Sequence, residues 1–317
     1  MNQFTSVHDA GNPSQLVLEA LALKEDPFAY SDLGKNKCLG LVFLNPSLRT
    51  RMSTQRAAQN LGMDIMVLNM DQEGWALETR DGVQMNGTRV EHIREAAGVM
   101  GKYCDILAVR SFAKLQSLEE DEKEEILNGL IRFSGVPVIS LESAFLHPLQ
   151  SLADLMTIQE REKVENPKIS LIWAPHVKAL PQAVANSFAE WVNYAGYDLT
   201  ISCPPGYELD PRYSGQARIV HTKEEALEGA DFVYVKNWSK LTPYGQVETG
   251  LDHWMIGADD LLKHPDTGFM HCLPVRRDVE LGSAVLDSPQ SLVMDQAENR
   301  IYAAQAVLKQ MIEELNQ

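Results

Sequence analysis

Short apolar runs alternate with helix-like stretches along most of this chain, and that alternation restricts the possible folds more than any other feature. The strand-like runs are 38–44, 64–69, 104–110, 136–141, 169–174, 198–203, 231–236 and 268–273. Helix-like stretches lie between most of them, notably 49–61, 91–103, 180–195 and 223–229. A strand followed by a helix, repeated many times, builds mostly parallel sheets. A length of 317 residues favours two such domains over one. The spacing predicts a helix over 148–163, with Pro148 near its start and the charged run Gln159 to Glu165 at its end, before Asn166-Pro167. The domain boundary is expected in that helix. The expected fold class is therefore α/β, with two doubly wound parallel-sheet domains and the active site in the cleft between them. The first domain would span 1–150, completed by a C-terminal helix over about 291–317, and the second 151–290. There is no internal repeat and no low-complexity segment.

Five polar residues share one position in this pattern. Arg110 follows Cys104 to Val109, Glu142 follows Val136 to Leu141, and His176 follows Ile169 to Pro175. Lys236 follows Asp231 to Val235, and Cys272 follows Gly268 to His271. Each closes an apolar run. Ligands of open α/β sheets bind outside the carboxyl ends of the strands. A single polar strand end is unremarkable, but five, drawn from both halves, point to a binding site.

The densest local signal is Phe43-Leu44-Asn45-Pro46-Ser47-Leu48-Arg49-Thr50-Arg51. An apolar strand stops at Asn45-Pro46, a turn signal, and Ser47 then opens a helix. The first turn of that helix offers N–H groups and the positive end of the dipole to an anion. Two guanidiniums and two hydroxyls crowd the same turn, and phosphate is the natural ligand. The plainer alternative is a serine cap followed by solvated arginines. Net charge helps here. At −16 the chain is a poor partner for nucleic acid or an anionic membrane, so an arginine-rich pocket would serve a small anion locally. The polar N-terminus has no signal-peptide pattern, and no apolar run is long enough to span a bilayer. Cys38, Cys104, Cys203 and Cys272 are scattered without metal-ligand spacing. The expectation is a reduced, cytoplasmic protein without structural disulfides or zinc.

Other motifs have ordinary readings when taken singly. His147-Pro148-Leu149-Gln150 offers a donor that can aim at a carbonyl and an amide that both donates and accepts, or else a helix start with a structural histidine. His271-Cys272-Leu273-Pro274 ends a strand, with Arg276-Arg277 beyond it as a solvated pair or a carboxylate clamp. Glu73-Gly74-Trp75 lies in a loop, and Asn299-Arg300 near the start of the last helix reads as capping and surface charge.

In order along the chain, Ser-Leu-Arg-Thr-Arg, Val-Arg110-Ser-Phe, His-Pro-Leu-Gln and His-Cys-Leu-Pro resemble the transcarbamoylase family of aspartate and ornithine carbamoyltransferases. The resemblance spans residues 47 to 300. It implies a carbamoyl phosphate domain followed by an amino-acid domain, no metal or organic cofactor, and a homotrimer with active sites shared between subunits. It implies that Ser47, the Leu48 N–H, Arg49 and Thr50 cradle phosphate. Arg110, His147 and Thr50 would polarise the carbamoyl oxygen as the catalytic set. Gln150 and the carbonyls of Cys272 and Leu273 would accept from the carbamoyl NH2. Pro148, Leu149 and Arg300 complete the carbamoyl phosphate contacts, and Trp75 would reach a neighbouring subunit's site.

The amino-acid side departs from ordinary ornithine enzymes. Where those carry an Asp and a Ser-Met-Gly loop, this chain reads Asp231-Phe-Val-Tyr-Val-Lys-Asn-Trp238. Glu142-Ser-Ala, Trp173-Ala-Pro-His176, Lys236-Asn-Trp and Cys272-Leu-Pro-Val-Arg-Arg277 instead resemble the branch acting on N-acylated ornithine. Glu142, His176, Lys236, Leu273 and Arg276 would then hold the acylornithine. The residue before Glu91-His92 is Glu in the acetyl branch and Pro in the succinyl branch. Here it is Val90, which leaves room for a succinyl carboxylate that Arg276 can pair with. A carboxylated lysine of the acetyl branch corresponds to Gln305. The expected substrates are carbamoyl phosphate and N-succinylornithine, with N-acetylornithine as the alternative. A dinucleotide-dependent oxidoreductase is disfavoured because no Gly-x-Gly-x-x-Gly follows an early strand. A non-catalytic phosphometabolite binder is disfavoured because anion, oxyanion and amine-side residues occur together.

Overall fold

Cys38-Leu-Gly-Leu-Val-Phe43 has no polar alternation, as expected of a parallel strand covered on both faces, and every residue after Cys38 is buried. In the computed structural model, which describes all residues except Asp71 and Glu73, it is one of twelve strands, all in parallel pairs. The first compact unit comprises 1–113, 119–149 and 300–317. Its strands are β1 (Gln3–Phe4), β2 (Cys38–Phe43), β3 (Asp64–Asn69), β6 (Ile106–Arg110) and β7 (Val138–Glu142), in the order β1-β7-β6-β2-β3. A separate two-residue pair, β4 (Leu77–Glu78) and β5 (Glu91–His92), precedes the helix Ile93–Tyr103. The second unit comprises 114–118 and 150–299. Its sheet is β8 (Lys168–Trp173), β9 (Asp198–Ser202), β10 (Arg218–Val220), β11 (Phe232–Lys236) and β12 (Gly268–Met270), in the order β10-β9-β8-β11-β12.

Both sheets are doubly wound, as the alternation predicts. All eight expected strands form, with ends that differ by at most three residues. The expected C-terminal helix runs from Val293 to Leu315. Its part from Arg300 onward belongs to the first unit, where Gln305 accepts from Asn60 Nδ2 (2.9 Å) and donates to the Pro27 carbonyl (2.7 Å). The division between units falls between Leu149 and Gln150, within the helix Pro148–Arg161. The helix Pro13–Glu25 is not anticipated above, although Asn12 caps it and Pro13 occupies its first turn. Strands β1 and β10, of two and three residues, are too short to give a periodic signal. Among the described residues no helix is long and apolar enough to cross a membrane.

Candidate active site

In the first sheet the chain leaves β2 towards β3 and returns on the other side as β6. The crevice at the carboxyl ends of β2 and β6 is thus a topological switch point, where open α/β sheets bind ligands. β2 runs through Leu44–Leu48 into the helix Arg49–Asn60. The N-cap of that helix is Leu48, with no side-chain capping bond, so the serine cap given above as the plainer alternative does not form. A first turn without a capping side chain is a favourable arrangement for an external anion. Thr50 is buried in that turn. Arg51 lies 4.5 Å over the Phe43 ring and bonds the Asn69 side-chain carbonyl, bracing the helix on β2 and β3.

A register shift between Val109 and Arg110 sets Arg110 beside Glu142 across β6 and β7. Arg110 Nη2 donates to Glu142 Oε2 at 3.0 Å, Nη1 donates to the Asn45 and Pro46 carbonyls, and the guanidinium lies 4.0 Å over Phe112. Glu142 Oε2 is also 3.7 Å from His147 Nε2. Arg300 Nη2 donates to Thr50 Oγ1. Thr50, Arg110, His147 and Arg300 are all buried. Among the described residues, Arg110 Nε and His147 Nδ1 are buried without a hydrogen-bond partner. Leaving such a group unsatisfied costs ~1–3 kcal/mol, and a site that keeps two of them is built to receive something polar. Burial, then the charges of Arg300 and Arg110, push the His147 pKa well below its ordinary 6.5. The ring is neutral at physiological pH. It has one N–H to donate and adds no third positive charge to the pair of guanidiniums.

Trp75 and Val90 form a second group. Trp75 Nε1 donates to Glu91 Oε2 at 3.0 Å and the Val90 N–H donates to the Ala76 carbonyl, so the β4–β5 pair holds both on one exposed segment. Glu73, named with Trp75 above, lies outside the described residues.

The remaining predicted residues gather in the second unit, whose switch point lies between β8 and β11. His176 follows β8 and Lys236 ends β11. Buried Lys236 donates from Nζ to the Asn237 carbonyl at 3.0 Å, and Asn237 Nδ2 donates to the Ala174 carbonyl at 2.6 Å, tying the two strand ends together. Arg276 Nε donates to His176 Nε2 at 3.2 Å. A guanidinium can only donate, so this bond requires the tautomer with the proton on Nδ1, which lies 2.9 Å from the Lys178 carbonyl and 3.2 Å from the Lys178 nitrogen. Burial is the main cause that lowers the His176 pKa, and Lys236 and Arg276 add to it. Arg277 turns away and pairs with Asp287 at 2.8 and 2.7 Å, so the two arginines part company. Leu273 adopts φ 57°, with its N–H held by His271 Nδ1 at 2.9 Å, and buried Cys272 precedes it. Gln150 Nε2 donates to Asp154 Oδ1 at 2.8 Å, which fixes the orientation of its amide. Glu142, expected with the acylornithine set, belongs to the first unit and pairs with Arg110.

The profile of the aspartate/ornithine carbamoyltransferase carbamoyl-P binding domain matches residues 3–160, and that of the Asp/Orn binding domain matches 180–311. The chain belongs to the aspartate/ornithine carbamoyltransferase family. It is similar, at 49% identity over 99% of its length and 100% of the relative's, to an N-succinylornithine carbamoyltransferase of Bacteroides fragilis (strain 638R). An N-acetylornithine carbamoyltransferase of Xanthomonas axonopodis pv. citri (strain 306) is 35% identical over 93% of each chain. Among solved structures, an N-acetyl-L-ornithine transcarbamylase with one glutamate replaced by valine, complexed with carbamyl phosphate and N-succinyl-L-norvaline, superposes with a TM-score of 0.91. It shares 33% identity over 98% of this chain and 100% of that one.

Three buried residues beside the predicted positions were not anticipated from sequence. Buried Asp154 and Glu280 bond the predicted site residues Gln150 and Arg276, and buried Gln296 in turn bonds Asp154. Asp154 was detectable, four residues after Gln150 on one helix face. Glu280 was not, because Arg276-Arg277-Asp278-Val279-Glu280 looks like a solvated charge run.

The neutral His147 has a consequence for stability. Its folded pKa lies below the unfolded value, so the unfolded chain binds more protons as pH falls below about 6.5. That share of stability is present above pH ~6.5 and declines on acidification by up to ~1.4 kcal/mol per pH unit. Urea midpoints measured from pH 7.5 to 5 are expected to drop more steeply for wild type than for His147→Asn. Parallel curves would mean that the folded histidine titrates normally.

Proposed function

We propose that this carbamoyltransferase moves the carbamoyl group of carbamoyl phosphate to the δ-amine of N-succinyl-L-ornithine, giving N-succinyl-L-citrulline and phosphate in arginine biosynthesis in the cytoplasm. The observation that carries the reaction is the buried Thr50–Arg300 and Arg110–Glu142–His147 cluster beside an uncapped helix N-terminus. Ser47, the Leu48 N–H, Arg49, Thr50 and Arg300 hold the phosphate. Arg110, His147 and Thr50 meet the charge that develops on the carbamoyl oxygen, the usual site of the largest electrostatic gain. Gln150 and the carbonyls of Cys272 and Leu273 take the carbamoyl NH2, and Pro148 and Leu149 wall that end. The δ-nitrogen bonds to the carbamoyl carbon, the carbon–oxygen bond to phosphate breaks, and the amine proton leaves with phosphate. No resident cofactor enters this scheme.

His176, Lys236, Leu273 and Arg276, with Glu142, hold the acylornithine. Two basic side chains and a neutral histidine suit a substrate with two carboxylates. The full-length relative supports the succinyl group. So does the variant transcarbamylase, in which valine replaces one glutamate and an N-succinyl ligand is bound. By resemblance Val90 occupies the position where the acetyl branch has Glu, and Gln305 stands in place of its lysine. Incubation with ¹³C-carbamoyl phosphate and N-succinylornithine should yield one ureido product per phosphate released. Phosphate release without that product would refute the transfer.

The active unit in this proposal is a homotrimer in which Trp75 serves a neighbouring subunit's site. Trp75→Ala and Arg110→Ala should each have low activity, and mixed subunits should recover part of it, because one intact site can be assembled from two damaged chains. No recovery after confirmed subunit exchange would return Trp75 to its own chain's site.

A further inference from the structure

A continuous line of hydrogen bonds runs beneath the predicted ligand-contacting residues of the second unit. Gln150 Nε2 and Gln296 Nε2 both donate to Asp154 Oδ1 at 2.8 Å. The His271 N–H donates to Gln296 Oε1 at 2.8 Å, and the Leu273 N–H donates to His271 Nδ1 at 2.9 Å. His271 Nε2 lies 3.4 Å from Glu280 Oε1, and the Arg276 N–H donates to Glu280 Oε2 at 2.8 Å. Gln150, Asp154, Gln296, His271 and Glu280 are each at most 1% exposed. Because Leu273 donates to Nδ1, the proton of a neutral His271 is on Nε2, directed at Glu280. Glu280 thus uses one oxygen to fix the Arg276 backbone and the other to fix the ring that holds Leu273.

We infer that Glu280 is a positioning residue for the acylornithine end of the site, setting Arg276 directly and Leu273 through His271. The inference rests on the acylornithine reading given above. Leu273 needs such support, since a non-glycine residue at φ 57° is held there only by its surroundings. The carboxylate also acts electrostatically on Lys236 and His176, the other two residues of that end. A fixed negative charge under them keeps the basic cluster compact until substrate carboxylates arrive.

Glu280→Gln replaces one of the two acceptors by an NH2 donor. Either the Arg276 N–H or His271 Nε2 then faces a donor. If His271 answers by moving its proton to Nδ1, Leu273 loses its acceptor, so one anchor fails in any arrangement. The expected result is a KM for N-succinylornithine raised about tenfold or more, with kcat changed less than about threefold. Affinity for inorganic phosphate by calorimetry should stay within about twofold, because Ser47, Arg49, Thr50 and Arg300 belong to the first unit. Glu280→Asp, which keeps the charge and both acceptors, should recover part of the KM. If Glu280→Gln does not fold, His271→Asn serves instead, since Asn can still accept from the Leu273 N–H while losing Glu280, and the same split is expected. An unchanged KM, or a parallel loss of inorganic phosphate affinity, would overturn the positioning role while leaving the substrate assignment intact. A wild type that turns over neither acylornithine would overturn both.

Discussion

Arg110→Ala should lower kcat/KM by about 10²–10³-fold, the range seen when one preorganised donor to a developing oxyanion is lost. Arg110 is buried, stacked on Phe112, held by the Asn45 and Pro46 carbonyls and paired with Glu142, so its guanidinium is fixed before substrate arrives. Nothing has to reorganise when the carbamoyl oxygen gains charge. The same substitution removes the cation paired with the Glu142 carboxylate, which lies 3.7 Å from the neutral His147. Breaking a buried pair from one side costs ~3–5 kcal/mol, so stability should fall as well. Adding Glu142→Gln separates the two effects. The double variant should regain part of the lost unfolding free energy and none of the lost turnover. Recovery of turnover with stability would show that Arg110 acts only by keeping the fold together.

Arg276→Ala should cut kcat/KM for N-succinylornithine by roughly 10- to 100-fold, the equivalent of one charge-assisted interaction of ~1.5–3 kcal/mol. N-acetylornithine should lose less, because it lacks the second side-chain carboxylate. Arg276 is exposed and already oriented by His176, so it can meet that carboxylate without first leaving a buried ion pair. Val90→Glu is the complementary change, placing a carboxylate near the succinyl group. Two like charges at 4 Å repel by ~1 kcal/mol in water and ~4 kcal/mol at a protein surface. Val90 is 64% exposed in the single chain, which argues for the lower end and a shift in preference of about tenfold. If neither variant changes the ratio of the two substrates, Val90 and Arg276 do not read the acyl group.

The fold could be read from sequence wherever burial imposes a pattern. Long apolar runs such as Leu39–Phe43 or Ile169–Trp173 can only be strands covered on both faces, and their order with the helices fixes doubly wound sheets. Patterns fade where an element is short or only partly buried, as at β1, β10 and the helix Pro13–Glu25. The site residues that close strands were visible because a polar group there interrupts an apolar run. Their partners were not. Arg110 and Glu142 are thirty-two positions apart and meet only through the β6–β7 register. Glu280 is a buried carboxylate inside a stretch that reads as surface. The serine cap, the plainer reading of Ser47, is absent, since the helix starts two residues later with Leu48 at its N-cap and no side-chain capping bond, and local propensity does not register what such a turn leaves open.

The central claim is that the amine acceptor is an N-acylated ornithine carrying a second carboxylate. The most direct test is a side-by-side measurement of kcat/KM for N-succinylornithine, N-acetylornithine and ornithine at saturating carbamoyl phosphate. N-succinylornithine should lead N-acetylornithine by about tenfold or more, and ornithine should be turned over least, since Lys236, His176 and Arg276 offer its free α-ammonium a basic surround. A preference for free ornithine, or equal turnover of the two acylornithines, would contradict that claim.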